Sequence, residues 1–214
     1  MQAIDGFLPA KVAEPPRADE IHVWRLHRPK GAGRGPLLAL LATYLGIAPE
    51  AVRLVSGEHG RPALDAIHGN ALDFNWSHSG EQALVAVTRD ITPGIDLELQ
   101  RTRASALEIA QRFFTAEEAA WLGTLDEDTR HAAFLELWTA REAVLKALGR
   151  GLAFGLDRLS IHSDTSGLAL RRLDGDDPAA WQLRRLDVGA DAFAALAWRG
   201  TPRHIRLFTL ADAA

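Results

Sequence analysis

The sequence predicts an α+β fold made of two similar halves. Apolar and polar residues alternate with the period of a strand in both halves, as in residues 21–26 (IHVWRL) and 181–186 (WQLRRL). A long helical segment over residues 127–148 lies between these regions. Two stretches also echo each other, because FNWSHSGEQALVAVTRD and WQLRRLDVGADAFAALAWRG each pair two strands through a polar turn, with a helix before them. We therefore expect two α+β lobes that share a ligand cleft.

The first half combines one helix with several short strands. Residues 1–20 show little periodicity and predict an irregular arm. The segment HRPKGAGRGP, residues 27–36, is a basic loop, and residues 37–45 form a helix that ends at Gly46. Gly60-Arg61-Pro62 is a turn. The predicted strands of this half are 21–26, 52–55, 72–76, 83–88 and 95–99.

The second half is a group of helices followed by strands. Residues 107–114 are helical, and Thr115 begins a further helix with Glu118 at the third position, which is a capping-box pattern. The long helix follows and ends at Gly149. Five strands complete the chain, at 159–162, 168–173, 181–186, 193–198 and 205–210. We place the N-terminal lobe at residues 1–103 and the C-terminal lobe at 104–214.

Composition excludes several kinds of site and partner. The chain has no cysteine, so disulfides, thiolate zinc sites, iron–sulfur clusters and cysteine nucleophiles are excluded. A net charge of −4 argues against nucleic acid and anionic membranes as general partners. No apolar run is long enough to span a bilayer, and no secretory signal pattern is present. We therefore expect a cytoplasmic protein.

The segment GIDLEL places two carboxylates on one face of a strand. Asp96 and Glu98 point the same way because strand side chains alternate between faces. Paired carboxylates repel each other unless a cation lies between them or one is protonated. Oxygen ligands of this kind suit Mg²⁺. A solvated strand face is the competing interpretation.

The long helix carries charged residues both along the edge of its apolar stripe and inside that stripe. Trp138, Glu142 and Lys146 form a column at i, i+4 and i+8 along the edge of the apolar stripe. An ordinary surface ion pair between Glu142 and Lys146 is the competing interpretation. Arg141 falls within the stripe, so it must extend to solvent or meet an anion. If this edge faces the carboxylate strand, Glu142 becomes a third metal ligand.

The segment FNWSHSG could bind an anion through the hydroxyl of Ser77 and the imidazole of His78. A polar strand terminus is the alternative. A serine–histidine hydrolytic pair is disfavoured, because neighbouring strand residues point to opposite faces and no GxSxG elbow is present. Arg61 alone indicates a turn with an exposed cation, and Glu118 alone is better explained as a helix cap than as a catalyst.

Together and in order, five segments resemble those of 4′-phosphopantetheinyl transferases of the two-lobed, surfactin-synthetase-activating type. They span residues 60–152 and comprise GRP, FNWSHS, GIDLE, EIAQRFFTAEE and WTAREAVLKALGRGL. The resemblance implies transfer of the phosphopantetheine arm of coenzyme A to a serine of an acyl, peptidyl or aryl carrier protein, with release of 3′,5′-ADP, as in a holo-[acyl-carrier-protein] synthase. It also implies a pseudo-twofold pair of lobes in one chain and hence a monomer.

The resemblance implies roles for individual residues. Asp96, Glu98 and Glu142 would bind Mg²⁺, or Mn²⁺ in its place, together with the pyrophosphate of coenzyme A. Lys146 would contact the pyrophosphate and stabilise the leaving group. Glu118 would be the general base that activates the carrier serine, with its capping-box role as a competitor.

The resemblance also implies a subsite for the 3′-phosphate of coenzyme A. Arg61, Ser77 and His78 would hold this phosphate, and Lys30 or Arg34 of the basic loop could assist them.

Two arginines stand where the family usually has lysine. They are Arg141, expected near the coenzyme A phosphates, and Arg61.

Residues 103–112 would lie at the surface that docks the carrier. A Mg²⁺-dependent phosphohydrolase and a non-catalytic module that binds coenzyme A or carriers remain as alternatives.

Overall fold

The predicted α+β class is confirmed. The computed structural model describes residues 6–11, 14–69, 72–100 and 105–210. Within this part of the chain the helices are α1 (Gly35–Leu45), α2 (Ala106–Phe113), α3 (Ala116–Gly123) and α4 (Glu127–Leu148). The strands are β1 (Leu8–Ala10), β2 (Glu20–His27), β3 (Leu54–Ser56), β4 (Pro62–Leu64), β5 (Asp73–Ser79), β6 (Gln82–Thr88), β7 (Gly94–Leu99), β8 (Leu159–Asp164), β9 (Gly167–Leu173), β10 (Trp181–Leu186), β11 (Ala192–Arg199) and β12 (His204–Leu210).

Two sheets form the centre of the molecule, and they exchange strands. The first has the order β1-β12-β2-β6-β5, and the second has the order β10-β11-β7. The two echoing segments are the hairpins β5–β6 and β10–β11. The strand after each hairpin pairs in the other sheet, since β7 joins β11 and β12 joins β2. This reciprocal exchange is the structural basis of the sequence echo and ties the two lobes together.

The elements stack in four layers. One core cluster packs α1 against β2, β5 and β6, and a second contains side chains of β2, β6, β7 and β11 and lies between the sheets. A third packs α4 with α2, α3 and the strands β8 to β11. The layer order is therefore α1, first sheet, second sheet, α4.

Burial on both faces corrects one expectation. The alternation of residues 21–26 predicted a half-buried strand, but β2 is buried on both sides. Ile21 and Val23 face the second sheet, whereas Trp24 and Leu26 face α1. A strand between two layers keeps little solvated surface, which also explains the continuous apolar run of β6.

Local signals fix the helix ends. Gly46 and Gly149 follow α1 and α4 with φ of 67° and 70°, in the left-handed region that glycine adopts without steric cost. The capping box of Thr115 and Glu118 at the start of α3 is present. The strand β5 extends beyond its predicted end at residue 76, because residues 77–79 continue the antiparallel pairing with β6. The predicted lobe boundary at residues 103 and 104 lies outside the described residues and stays a prediction.

The helices of the described residues include none that is long and apolar enough to cross a membrane.

Candidate active site

Gly94 allows β7 and α4 to approach closely. A Cβ at this position would lie 2.5 Å from the backbone nitrogen of Ala147 and closer still to the carbonyl oxygen of Ala143. Only glycine fits against a helix backbone at this separation. The close approach brings the carboxylate face of β7 next to the edge of α4 that carries Glu142 and Lys146. The predicted proximity of these two motifs is thus present in the structure.

Asp96 is buried and receives two hydrogen bonds on one oxygen. Its Oδ1 accepts from the Ser77 hydroxyl at 2.7 Å and from Lys146 Nζ at 2.6 Å. Lys146 Nζ also donates to the carbonyl oxygen of Ile95 at 3.1 Å. The other oxygen, Asp96 Oδ2, is buried without a hydrogen-bond partner. The lysine ammonium therefore neutralises Asp96 and leaves one of its oxygens available.

Glu142 faces the same carboxylates. Its Oε1 is buried without a hydrogen-bond partner. Burial, followed by the negative charges of Asp96 and Glu98, raises the pKa of Glu142 to about 7, and the nearby Lys146 opposes this rise. The three predicted metal ligands thus interact electrostatically at one place.

The donor set fits a divalent cation. A buried polar oxygen without a partner costs about 1–3 kcal/mol, and both Asp96 and Glu142 carry one. Mg²⁺ and Mn²⁺ prefer such carboxylate oxygens and keep other positions for water or phosphate. In the described part of the chain, however, no three acidic or histidine side chains already surround one point as a formed metal site. Lys146, at hydrogen-bond distance from Asp96, supplies the positive charge there.

Polar side chains of β5 join the two sheets at their edges. Asn75 Oδ1 accepts from the Ile95 backbone N–H at 2.8 Å, and Ser79 donates to Glu98 Oε2 at 3.2 Å. Together with the Ser77–Asp96 bond these contacts form what we call the β5–β7 seam. Sequence reasoning missed Asn75 and Ser79, although their period-two spacing with Ser77 could have indicated a shared face.

His78 lies on the opposite side of β5 from the seam. It is exposed, and its pKa is lowered first by partial burial and then by the positive charges of Arg28 and Lys146. Arg28 belongs to the basic loop, where the sequence had singled out Lys30 and Arg34; both of these side chains are exposed. The structure therefore adds Arg28 as a cation near His78. A contact of His78 with a 3′-phosphate stays a prediction.

Arg61 stabilises the turn that leads into β7 by hydrogen bonds. Its guanidinium donates to Asp73 Oδ1 at 3.1 Å and to the carbonyl oxygens of Phe74 and Pro93 at 2.8 and 3.2 Å. The interpretation of Arg61 as an exposed turn cation is wrong, because most of its side chain is buried by these contacts. A further contact with a phosphate stays a prediction.

Arg141 is buried and ion-paired. The sequence predicted that it extends to solvent or meets an anion, and it pairs with Glu118 while its guanidinium carbon lies 3.9 Å from the centre of the Phe114 ring. It also donates to the carbonyl oxygens of Leu137 and Leu156. A contact of Arg141 with the phosphates of coenzyme A stays a prediction, although the residue has no exposed surface in the folded chain.

Glu118 joins three elements. It completes the capping box of α3, pairs with Arg141 of α4, and accepts from the Ile161 backbone N–H of β8 at 2.8 Å. Thr115 Oγ1 donates to it at 2.7 Å. Since both carboxylate oxygens already accept hydrogen bonds, the geometry favours the cap over the general base.

Two grooves on the described part of the surface lie away from this site. One of about 1360 Å³ is lined mainly by β10, β11 and β12, and one of about 570 Å³ lies at the end of α4. Neither is lined by any of the predicted catalytic, binding or metal-ligating residues. The site is identified by its side-chain chemistry.

Comparison with known proteins gives a consistent picture. Residues 92–197 match the family model described as the 4′-phosphopantetheinyl transferase superfamily. The chain is 31% identical over 168 residues to a Synechocystis protein named "Putative 4′-phosphopantetheinyl transferase slr0495", covering 76% of this chain and 68% of that protein. It is 38% identical over 138 residues to the 4′-phosphopantetheinyl transferase HetI of Nostoc, covering 64% and 58%, and 30% identical over 139 residues to Sfp of Bacillus subtilis, covering 64% and 60%.

A solved structure is also similar. The crystal structure of Thermotoga maritima holo-[acyl-carrier-protein] synthase aligns with a TM-score of 0.41 at 19% identity, over 52% of this chain and 64% of that one. The matches to HetI and Sfp likewise span about three fifths of those relatives.

Proposed function

The chain belongs to the 4′-phosphopantetheinyl transferase superfamily, and from this premise we propose that it moves the phosphopantetheine arm of coenzyme A onto a serine hydroxyl of an apo carrier protein. In this reaction the serine oxygen forms a bond to the β-phosphorus of coenzyme A, the bond from that phosphorus to 3′,5′-ADP breaks, and the serine proton passes to a base. The observation that supports the proposal most is the cluster of Asp96, Glu142 and Lys146 between β7 and α4.

The cluster suits a pyrophosphate substrate. A divalent cation bound by Asp96, Glu98 and Glu142 would neutralise the charge that builds up on the phosphates. Lys146, held by Asp96 and the Ile95 carbonyl, would place an ammonium group beside the phosphates. Positioning and charge neutralisation of this kind supply most of the catalysis in phosphoryl-type transfer.

The two-lobed type and a monomeric state form the finer part of the proposal. β5, β7 and α4 all come from one chain, and the exchanged strands hold the sheets together without a second copy. The proposed metal ligands Asp96, Glu98 and Glu142 and the cation Lys146 therefore all come from a single molecule. The carrier would be an acyl, peptidyl or aryl carrier protein.

The test is incubation of the protein with coenzyme A, Mg²⁺ and several apo carriers, followed by mass spectrometry of the carriers. We expect one phosphopantetheine arm per carrier. Glu142→Gln should abolish transfer, whereas Glu127→Gln, an exposed change on the same helix, should not. If no carrier gains mass, the proposal is wrong: release of ADP from coenzyme A without a carrier would then indicate a phosphohydrolase, and binding without turnover a binding module.

A further inference from the structure

The groove of about 1360 Å³ lies at the opposite edges of the two sheets from the candidate active site. β5 and β7, which carry that site, are edge strands of the first and the second sheet. The groove is lined by β10, the other edge strand of the second sheet, and by β12, next to the other edge of the first. Pockets for small molecules measure about 300–1,000 Å³, so this groove has room for a segment of polypeptide.

The echo between the two halves relates the groove to the active site. In the segments GIDLE of β7 and HIRLF of β12, the isoleucine and the leucine of both contribute to the core cluster between the sheets. The position of Asp96 in β7 is accordingly occupied by Arg206 in β12, and that of Glu98 by Phe208. Where one end of the molecule has carboxylates the other has a cation, so the groove favours an anion over a metal ion.

The charges along the groove are mostly positive. The described residues that line it include four arginines, which are Arg184, Arg185, Arg203 and Arg206. Two carboxylates line it as well, and one of them, that of Glu136, is already paired with Arg185. The other belongs to Asp187. The groove therefore carries excess positive charge although the whole chain has a net charge of −4, and it attracts acidic partners to this face.

Two of these arginines keep their charge available to a partner. Arg184 is exposed, and it donates to neutral groups, the carbonyl oxygen of Leu183 and the side-chain oxygen of Gln182. The side chain of Arg206 is 54% exposed, and its distance of 3.6 Å from Glu20 is too long for a hydrogen bond. Guanidinium groups in this state can form charge-assisted hydrogen bonds with the carboxylates of another molecule.

Apolar side chains lie among the cations of the groove. Leu8 of β1 is 59% exposed, and Phe193 of β11 and Ile205 of β12 are partly exposed. All three line the groove. A purely ionic ligand gains nothing from these side chains, whereas a polypeptide with apolar residues would bury them and be stabilised by doing so.

We propose that the groove between β10 and β12 docks an acidic polypeptide segment of a partner protein, with apolar residues among its carboxylates. The carboxylates pair with Arg184 and Arg206, and the apolar residues cover Leu8 and its neighbours. Docking is separate from the proposed transfer, because none of the proposed catalytic, binding or metal-ligating residues lines the groove. It is therefore tested without coenzyme A or turnover.

The first experiment measures binding of a fluorescein-labelled peptide of alternating glutamate and leucine to the full chain by fluorescence anisotropy. We expect saturable binding that weakens as salt rises from about 50 mM to about 500 mM, because exposed charge pairs are screened. Arg184→Gln combined with Arg206→Gln should weaken binding by about tenfold. Arg53→Gln combined with Arg171→Gln is the matched control, since it removes the same charge from two exposed arginines outside the groove.

The second experiment separates a polypeptide from other occupants. The glutamate–leucine peptide should bind more tightly than poly-glutamate of equal length or inorganic polyphosphate, and Leu8→Ser should reduce that preference. Polyphosphate that binds as tightly as the peptide would overturn the proposal in favour of a general polyanion site. Equal peptide affinity of the double arginine variant and its control would also overturn it. So would self-association of the chain in sedimentation that the groove substitutions abolish, because the occupant would then be a second copy.

Discussion

Gly94→Ala tests whether the contact between β7 and α4 builds the site. The added Cβ would lie 2.5 Å from the nitrogen of Ala147 and closer to the oxygen of Ala143, whereas real Cβ atoms essentially never come within 3.0 Å of another heavy atom. Both neighbours are backbone atoms and cannot rotate away. The strand and the helix must therefore separate by on the order of 1 Å, since the interior is close-packed.

The separation has two measurable consequences. Overpacking of this kind costs about 1–3 kcal/mol in the free energy of unfolding, and at this chain length each kcal/mol lowers Tm by about 2–4 °C. The 2.6 Å contact between Lys146 and Asp96 also lengthens. A misplacement of about 1 Å can reduce a catalytic rate by about 100-fold, so transfer should fall more than stability does.

Calorimetric melting and the carrier-loading assay measure the two effects. Gly123→Ala is the matched control, because the nearest atom to its added Cβ is a side-chain carbon of Leu107 at 4.0 Å. At the end of a helix this change should be neutral or stabilising by about 0.5–1 kcal/mol. A Gly94→Ala protein with the melting temperature and transfer rate of the unsubstituted chain would refute the reasoning.

Three further predictions concern buried polar groups. Glu118→Gln leaves the buried Arg141 cation without its anion and should cost about 3–5 kcal/mol in the free energy of unfolding. The control Glu117→Gln, at an exposed neighbouring position, should change that free energy by less than about 0.5 kcal/mol. Equal chemical denaturation curves for the two variants would contradict this prediction. Tyr44→Phe removes the oxygen at 2.8 Å from two buried ring nitrogens and should cost about 1–3 kcal/mol, and an unchanged urea midpoint would show that these rings find other partners. The pKa of Glu142 is about 7 in the folded chain against 4.5 for a free side chain. Between these two pH values the folded state therefore binds more protons than the unfolded state. The free energy of unfolding, measured in EDTA, should fall as pH rises from 4.5 to 7. Glu142→Gln should flatten that fall, and a pH profile equal to that of the unsubstituted chain would disprove the assignment.

Most of the fold could be predicted from local signals. Glycine caps, the capping box and the alternation of apolar residues depend on neighbours within a few positions, and they located α1, α3, α4 and the late strands within a few residues. The face shared by Asp96 and Glu98 was predictable for the same reason, because the alternation of a strand is a property of its backbone.

The partners of the buried polar groups could not be predicted in this way. Arg141 lies in an apolar stripe, which signals that an anion must be near, but Glu118 lies 23 positions away on another helix. Ser77 and Asp96 are 19 residues apart on strands of different sheets. No spacing rule connects such positions, because their distance depends on how the sheets pack.

The sequence by itself determined most of the elements, the family resemblance and the residue types that could hold a cation and phosphates. Only the tertiary structure decided what each charged group does. In the folded chain Arg141 is buried and paired with Glu118, and both Ser77 and Lys146 donate hydrogen bonds to the Asp96 carboxylate. The physical reason is that hydrogen bonds and ion pairs act over a few ångströms, and the close approach at Gly94 and the exchange of β7 and β12 set those distances.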